Sequence, residues 1–248
     1  LTNDPRDMPL RPGIFLLIAL LMTVSLAAAM PRTASAEENR CYRERTGEKE
    51  RLRRWRMQRI GGGYRVSSAI GAERYVNLVS ADGNTTGWRA ETDRMGIEAC
   101  RKTNQIAVSG HRGGRPLEKR IDAPNRPWFQ PIGFSLELFA RSRRKRVGFW
   151  TLRPETLEPV KMAAKKENTV EIVVDGKPEK AVRVTLRLAG WKSALWRGQY
   201  WFRECDGTYL RYEGVNGPPG TPKTVVDLCS GGCGDGKQHL PEPPDPCQ

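Results

Sequence analysis

The stretch Trp196–Gly214, WRGQYWFRECDGTYLRYEG, decides the fold. Two alternating runs flank Asp206-Gly207, a pair that accepts the positive φ angles a tight turn between twisted strands requires. In the first run Trp196, Tyr200 and Phe202 fall on one face, and Arg197, Gln199, Trp201 and Arg203 on the other. In the second, Leu210 and Tyr212 alternate with Tyr209, Arg211 and Glu213. Period-two spacing of this kind buries one face of a strand and leaves the other to water or a ligand. Most of the aromatic content therefore reads as sheet core, and the Arg/Trp face remains open to binding.

The same grammar extends outward. Asp175-Gly176 divides TVEIVV from PEKAVRVTLRLAG, in which Val182, Val184, Leu186 and Leu188 alternate with Arg183, Thr185 and Arg187. Upstream, GGG at 61–63 divides RRWRMQRI from YRVSSAIG, and Asp82-Gly83 ends RYVNLVSA. Between the two series, from about Gly114 to Phe149, lies the Pro-rich stretch RPLEKRIDAPNRPWFQPIGFSLELFARSRRKR. It holds the single credible helix, a short turn capped by Ser135 and carrying Leu136, Leu138 and Phe139. Consecutive hairpins without crossover helices predict a mainly β protein, a curved antiparallel sheet or half-barrel with one short central helix. One domain is expected over 37–228, followed by a Cys/Pro-rich tail, 229–248, disordered or tethered by disulfides.

The N-terminus sets the compartment. Arg6 and Arg11 precede the apolar run IFLLIALLMTVSLAAAM, Ile14–Met30, and the small triplet Ala34-Ser35-Ala36 follows. That order predicts a secretory signal peptide over 1–36 and a periplasmic protein beginning at Glu37, with an uncleaved N-terminal anchor as the alternative. Residues 1–36 hold three cations (Arg6, Arg11, Arg32) and two anions (Asp4, Asp7), so cleavage takes the net charge from +14 to +13. A chain this basic outside the cytoplasm points to anionic envelope partners rather than nucleic acid. RSRRKR places Arg141, Arg143, Arg144, Lys145 and Arg146 in one segment. These are the candidate residues for a peripheral contact with anionic lipid or polysaccharide, the alternative being a solvated loop. Arg183, Arg187, Arg197, Trp201 and Arg203 form the candidate ligand face.

Six cysteines, at 41, 100, 205, 229, 233 and 247, enter an oxidising compartment and allow three disulfides. Cys205 and Cys229, at the ends of neighbouring hairpin segments, are one candidate pair. Free thiols, or a zinc set of Cys229, Cys233, His239 and Cys247, are the alternatives. Hydrolytic chemistry is poorly supplied: His111 lies in a turn sequence and His239 in the tail, while Glu204 and Glu213 face solvent in the hairpin reading. No cofactor motif is present; GPPGTP, 217–222, lacks the lysine spacing of a phosphate loop and reads as a rigid turn.

The segments FWTLRP (149–154), WKSALWRGQYWFRECDGTYLRYEG (191–214), GPPGTP and VVDL (225–228) resemble bacterial periplasmic proteins of the domain-of-unknown-function type. Their architecture is similar to the curved sheets of LolA/LolB-type carriers. Over the last third of the chain the resemblance implies a half-barrel that wraps a helix and shelters lipid chains, and it brings no catalytic residues. The expected function is noncatalytic carriage or binding of a lipid or other amphiphilic or anionic envelope ligand. The competing expectation is a structural envelope protein with a filled core that docks a macromolecule through its basic face.

Overall fold

The computed structural model describes residues 37–123, 126–215, 220–233 and 244–247. The expected signal peptide, 1–36, His239 and the first half of GPPGTP, 217–219, lie outside them. One 14-stranded antiparallel sheet dominates. Its first series is β1 (Glu37–Thr46), β2 (Lys49–Ile60), β3 (Gly63–Ile70), β4 (Glu73–Ser80), β5 (Thr85–Glu91), β6 (Met95–Lys102), β7 (Gln105–Arg112) and β8 (Arg115–Asp122). Helix α1 (Ile132–Arg141) follows. The second series is β9 (Arg146–Leu152), β10 (Pro159–Val174), β11 (Lys177–Leu188), β12 (Arg197–Arg203), β13 (Tyr209–Val215) and β14 (Lys223–Leu228).

The spatial order is β8-β7-β6-β5-β4-β3-β2-β1-β14-β13-β12-β11-β10-β9. Each series is thus a meander, and the two meet mid-sheet where Tyr42 pairs with Leu228. Turn chemistry explains the meanders: Gly61, Gly83, Asp175, Gly176 and Gly207 all adopt positive φ. The sheet curls without closing, and β8 and β9 are its edges.

Four expectations change. The stretch RPLEKRID, read as linker, is strand β8, where only Ile121 is buried. An edge strand with both faces wet has no alternation to reveal it. Helix α1 starts three residues before Ser135, from Pro131, without a side-chain cap. Ser135 instead sits inside the helix, donating its amide to the Pro131 carbonyl at 3.0 Å. In β13 the register slips where Trp201 pairs with Arg211 but Phe202 pairs with Tyr209. This bulge turns Tyr209 inward and Leu210 outward, the reverse of unbroken alternation.

The fourth concerns the cysteines. Cys41–Cys233 and Cys100–Cys247 are bridged, while Cys205 and Cys229 are free thiols. Cys229 donates its amide to the Cys41 carbonyl across the β1–β14 seam, while Cys205 lies in the β12–β13 turn, one strand away beyond β13. Two bridges rather than three form, and they consume two of the four proposed zinc ligands.

The inner face packs on α1. Phe134, Leu136 and Phe139 join Tyr42, Trp55, Val66, Phe149, Val184, Leu186 and Phe202 in one core. Residues 127–130 form a strap from β9 to β5: Phe129 N–H donates to the Trp150 carbonyl (2.8 Å), and Thr85 N–H to the Trp128 carbonyl (2.7 Å). Trp128, fully buried, anchors a second core with Trp88, Ile97, Ile106, Val108, Leu152 and Leu157. The strap pairs with the edge strand β9 and brings it against the β5–β8 half of the inner face.

Two features cover the outer face. The tip of the long β10–β11 hairpin folds over the sheet, so Val170, Ile172 and Val174 pack on Trp201, Leu210 and Leu228. Its turn is held by Ser230, whose amide donates to Asp175 Oδ2 at 2.8 Å. On the other half, Cys247 is bonded to β6, Asp245 accepts from Arg65 at 2.6 Å, and Pro246 is buried. A Cβ at Gly87 would lie 2.8 Å from Cys247 Sγ and 3.0 Å from Pro246, so only glycine lets the tail approach β5 this closely.

Candidate functional site

Clefts of about 160 Å³ and 310 Å³ adjoin the middle and the last turn of α1, and a wider space opens where the helix begins. There the inner-face alternation of β1, β2, β12 and β13, with the bulge at Leu210, brings Tyr42, Trp55, Tyr200, Tyr209 and Tyr212 together. Ring centroids are 5.0 Å apart for Tyr42–Trp55 and Tyr42–Tyr209, 5.7 Å for Trp55–Tyr209 and 4.8 Å for Tyr200–Tyr212. Helix α1 reaches this cluster through Gly133, where a Cβ would stand 2.9 Å from the Trp55 ring and 3.2 Å from Tyr209. Glycine is thus required for the approach, and the aromatic rings stop the helix short of the rim.

What remains is an open cavity of about 570 Å³, lined by these aromatic side chains and by Val66, Ser68, Asn77, Trp88 and the first residues of α1. The volume matches sites that take one small molecule. The rim alternates in charge: Arg51, Arg53 and Arg153 against Glu44, Glu73 and Glu155. Glu44 is buried and accepts from Arg51 at 2.7 Å and Arg53 at 3.0 Å. Burial alone would raise its carboxyl, but Arg53 and Arg51 reverse that and hold it below the usual carboxylate range. Burial pushes the Tyr200 and Tyr209 hydroxyls well above their ordinary value, so these are neutral phenols. Among the described residues, two buried wall atoms have no hydrogen-bond partner, Trp55 Nε1 and Asn77 Oδ1.

Such a wall stacks, donates and accepts. Its carboxylate nearest the floor is tied by two guanidinium groups, and among the described residues no histidine or cysteine lines the cavity.

The sequence-predicted residues lie elsewhere. Arg141, Arg143, Arg144, Lys145 and Arg146 are all exposed at the corner between α1 and β9. Arg141 pairs with Glu137 at 3.4 Å, whereas the other four make no ion pair among the described residues. The ladder sets Arg183 opposite Trp201 and Arg187 opposite Arg197, on the outer face as the alternation implies. That face is not a continuous platform. Trp201 is only 7% exposed, packed under the β10–β11 hairpin, and Arg203 is held by Glu179 (3.0 Å) and Asp206 (3.2 Å). Arg187 and Arg197 stay exposed.

Sequence reasoning missed Tyr42, Trp55, Asn77 and Gly133. A signal did exist for Trp55: in RRWRMQRI, Trp55 and Met57 alternate with Arg54, Arg56 and Gln58. Nothing local indicates that Tyr42, Trp55 and Tyr209 meet.

No protein-family model matches the chain, and no curated protein matches it. Among solved structures, it is similar to a beta-barrel-like protein of domain of unknown function DUF1849 from Brucella abortus. That match has 13% identity and a TM-score of 0.49, covering 77% of this chain and 94% of the other. A DUF1329 family protein from Desulfovibrio piger matches at 12% identity and a TM-score of 0.29, over 80% of this chain and 85% of the other.

Proposed function

We propose that this protein is a noncatalytic binding protein of the bacterial periplasm that holds one small amphiphilic molecule in the aromatic cavity at the start of α1. The observation that carries this reading is the convergence of five aromatic rings on an open cavity of about 570 Å³ at the start of α1, while Phe134, Leu136 and Phe139 are buried further along the helix, beside smaller clefts of about 160 and 310 Å³. A wholly filled core would leave no room for a ligand. Rings at the floor and charges at the rim match a molecule with an apolar body and a polar end. The LolA/LolB-like expectation of sheltered lipid chains is retained in reduced form, because α1 occupies much of the curl and the aromatic cavity has space for a single small occupant.

A basic outer corner supports a second element of the reading, contact with an anionic envelope surface. Arg187 faces Arg197 directly across the ladder, and Arg146 faces Lys165, which is shared with Glu167 at 2.9 Å. Like charges directly opposite destabilise a sheet, and a polyanionic neighbour would relieve the repulsion. Together with the free cations of 143–146 they make this corner the natural docking face.

Native mass spectrometry of the full chain, purified from the envelope of the cells that make it, tests the binding role. One small-molecule adduct per chain is expected, and it should vanish in Ser68→Trp, which places an indole in the cavity from the half-buried wall position of β3. An adduct-free native protein, or an adduct indifferent to Ser68→Trp, would refute the reading.

A further inference from the structure

Resting on that binding role, we propose that the cavity is built for an uncharged, hydroxyl-bearing ring, the chemistry of a sugar or of a sugar-headed amphiphile. Three observations converge on it.

The first is the charge of the wall. Its three cations and three carboxylates balance, and the closest are spent on one another: Glu44 on Arg51 and Arg53, and Glu73 within 3.8 Å of Arg51. An anionic head group would have to compete with Glu44 for its guanidinium groups, and a cationic head with the arginines for Glu44. A neutral head group leaves the network intact.

The second is the pair of unmade hydrogen bonds. Trp55 is 9% exposed and Asn77 4%, yet the indole Nε1 and the amide Oδ1 have no partner. Buried polar groups are normally satisfied, and leaving them bare is costly. One is a donor and the other an acceptor. A phosphate, sulfate or carboxylate only accepts and an ammonium only donates, so each serves one atom and repels the other. An acyl chain serves neither. Hydroxyl groups both donate and accept.

The third is spacing. Trp55 pairs with Ser68 and Asn77 with Val66, so the two lie on β2 and β4 with β3 between them. Two strand spacings and a two-residue offset along β3 separate their backbones by about 12 Å, which demands hydroxyls distributed over a ring or two rather than one terminal alcohol. Val66 and Ser68 of β3 lie between them, and the rings of Tyr42, Trp55 and Tyr209 continue the wall on the β1 side and offer apolar surfaces for the C–H faces of such rings.

Isothermal titration calorimetry on the full chain, with octyl glucoside and octyl sulfate at submicellar concentrations, separates the possibilities because the two probes share a tail. Octyl glucoside is expected to bind one site about tenfold more tightly than octyl sulfate. Trp55→Phe and Asn77→Leu should each weaken the glucoside by about tenfold, whereas Asn77→Leu removes the acceptor that repels sulfate and should not weaken octyl sulfate; a circular dichroism spectrum like the parent's certifies that the variants fold. Octyl sulfate binding as tightly as the glucoside, or two variants that bind the glucoside like the parent, would overturn the proposal. If both probes bind equally and Ser68→Trp abolishes both, the amphiphile role stands and the neutral-sugar assignment falls. If neither binds, both fall.

Discussion

Arg40 and Glu137 form an ion pair inside the curl, and their removal one at a time and together should give opposite results. Arg40 Nη1 lies 2.9 Å and 3.1 Å from the two Glu137 oxygens, and the side chains are 6% and 1% exposed. Burial raises the Glu137 carboxyl above its ordinary range even though Arg40 and Arg141 pull it down. At Glu137 desolvation outweighs attraction, whereas at Arg40 desolvation is outweighed by its carboxylate neighbours; the two nearly offset, and a well-packed apolar pair of similar volume should be no less stable. Breaking a buried pair by removing one partner typically costs about 3–5 kcal/mol. Glu137→Leu belongs at the lower end, because Arg40 keeps Glu38 at 2.6 Å, on the solvent side. Arg40→Leu leaves Glu137 only Arg141 at 3.4 Å, and it belongs at the upper end at pH 8.

The Arg40→Leu cost should depend on pH. A carboxyl whose folded pKa is raised binds its proton more tightly in the folded than in the unfolded chain. It therefore leaves stability untouched below the unfolded value, and stability falls as pH rises from that value through the folded one. Losing Arg40 raises the folded value further, so Arg40→Leu should be milder at pH 5 than at pH 8. The double variant Arg40→Leu/Glu137→Leu should lie within about 1 kcal/mol of the parent or above it. Urea denaturation of the oxidised full chain at both pH values measures all four corners of the cycle. A double variant as unstable as the sum of the singles, or an Arg40→Leu loss indifferent to pH, would refute the reasoning.

Two further outcomes follow from the outer surface. Unfolded without reductant, the chain should take up two maleimide groups, at Cys205 and Cys229, and six after reduction; in the native state exposed Cys205 should react first, because burial raises the Cys229 thiol. Complete labelling without reductant, or none, contradicts the pairing of Cys41 with Cys233 and Cys100 with Cys247. Sedimentation with anionic vesicles should show salt-sensitive binding worth about 1 kcal/mol for each cation at the surface. Neutralising Arg143, Arg144, Lys145 and Arg146 should weaken it while Arg141 keeps its contact with Glu137, and equal binding to zwitterionic vesicles would reduce the cluster to a solvated loop.

The sequence reveals those parts of the fold that local chemistry specifies. Gly61, Gly83, Asp175-Gly176 and Gly207 mark turns because few other residues tolerate their φ, and Val182 to Leu188 reads as a strand because one face is buried and the other wet. Strand β8 escapes because an edge with two wet faces carries no period. Tyr209 and Leu210 are exchanged by a bulge that no residue type announces. Trp201 reads as a ligand platform because its burial comes from the overhang of its neighbour: β10 has 16 residues and β9 only 7, so the β10–β11 tip has sheet to fold over. The cysteine pairs span separations of 192 and 147 residues, which spacing cannot rank.

The cavity is the least legible feature, and its position has a mechanical cause. Helix α1 has 10 residues, about 15 Å of rise, and cannot fill a curl whose strands reach 16 residues. Where the empty length falls depends on where the helix is pinned. The strap fixes its start: Trp128 N–H donates to Asn84 Oδ1 at 2.9 Å, Gln130 N–H to Thr85 Oγ1 at 3.0 Å, and the Gln130 amide to the Leu152 carbonyl at 3.0 Å. Just beyond, Gly133 sets the helix against Trp55 and Tyr209. The middle of the helix is held by the Glu137–Arg40 pair. With its start and its middle anchored, α1 cannot slide to close the gap, so these polar contacts keep the aromatic cavity open.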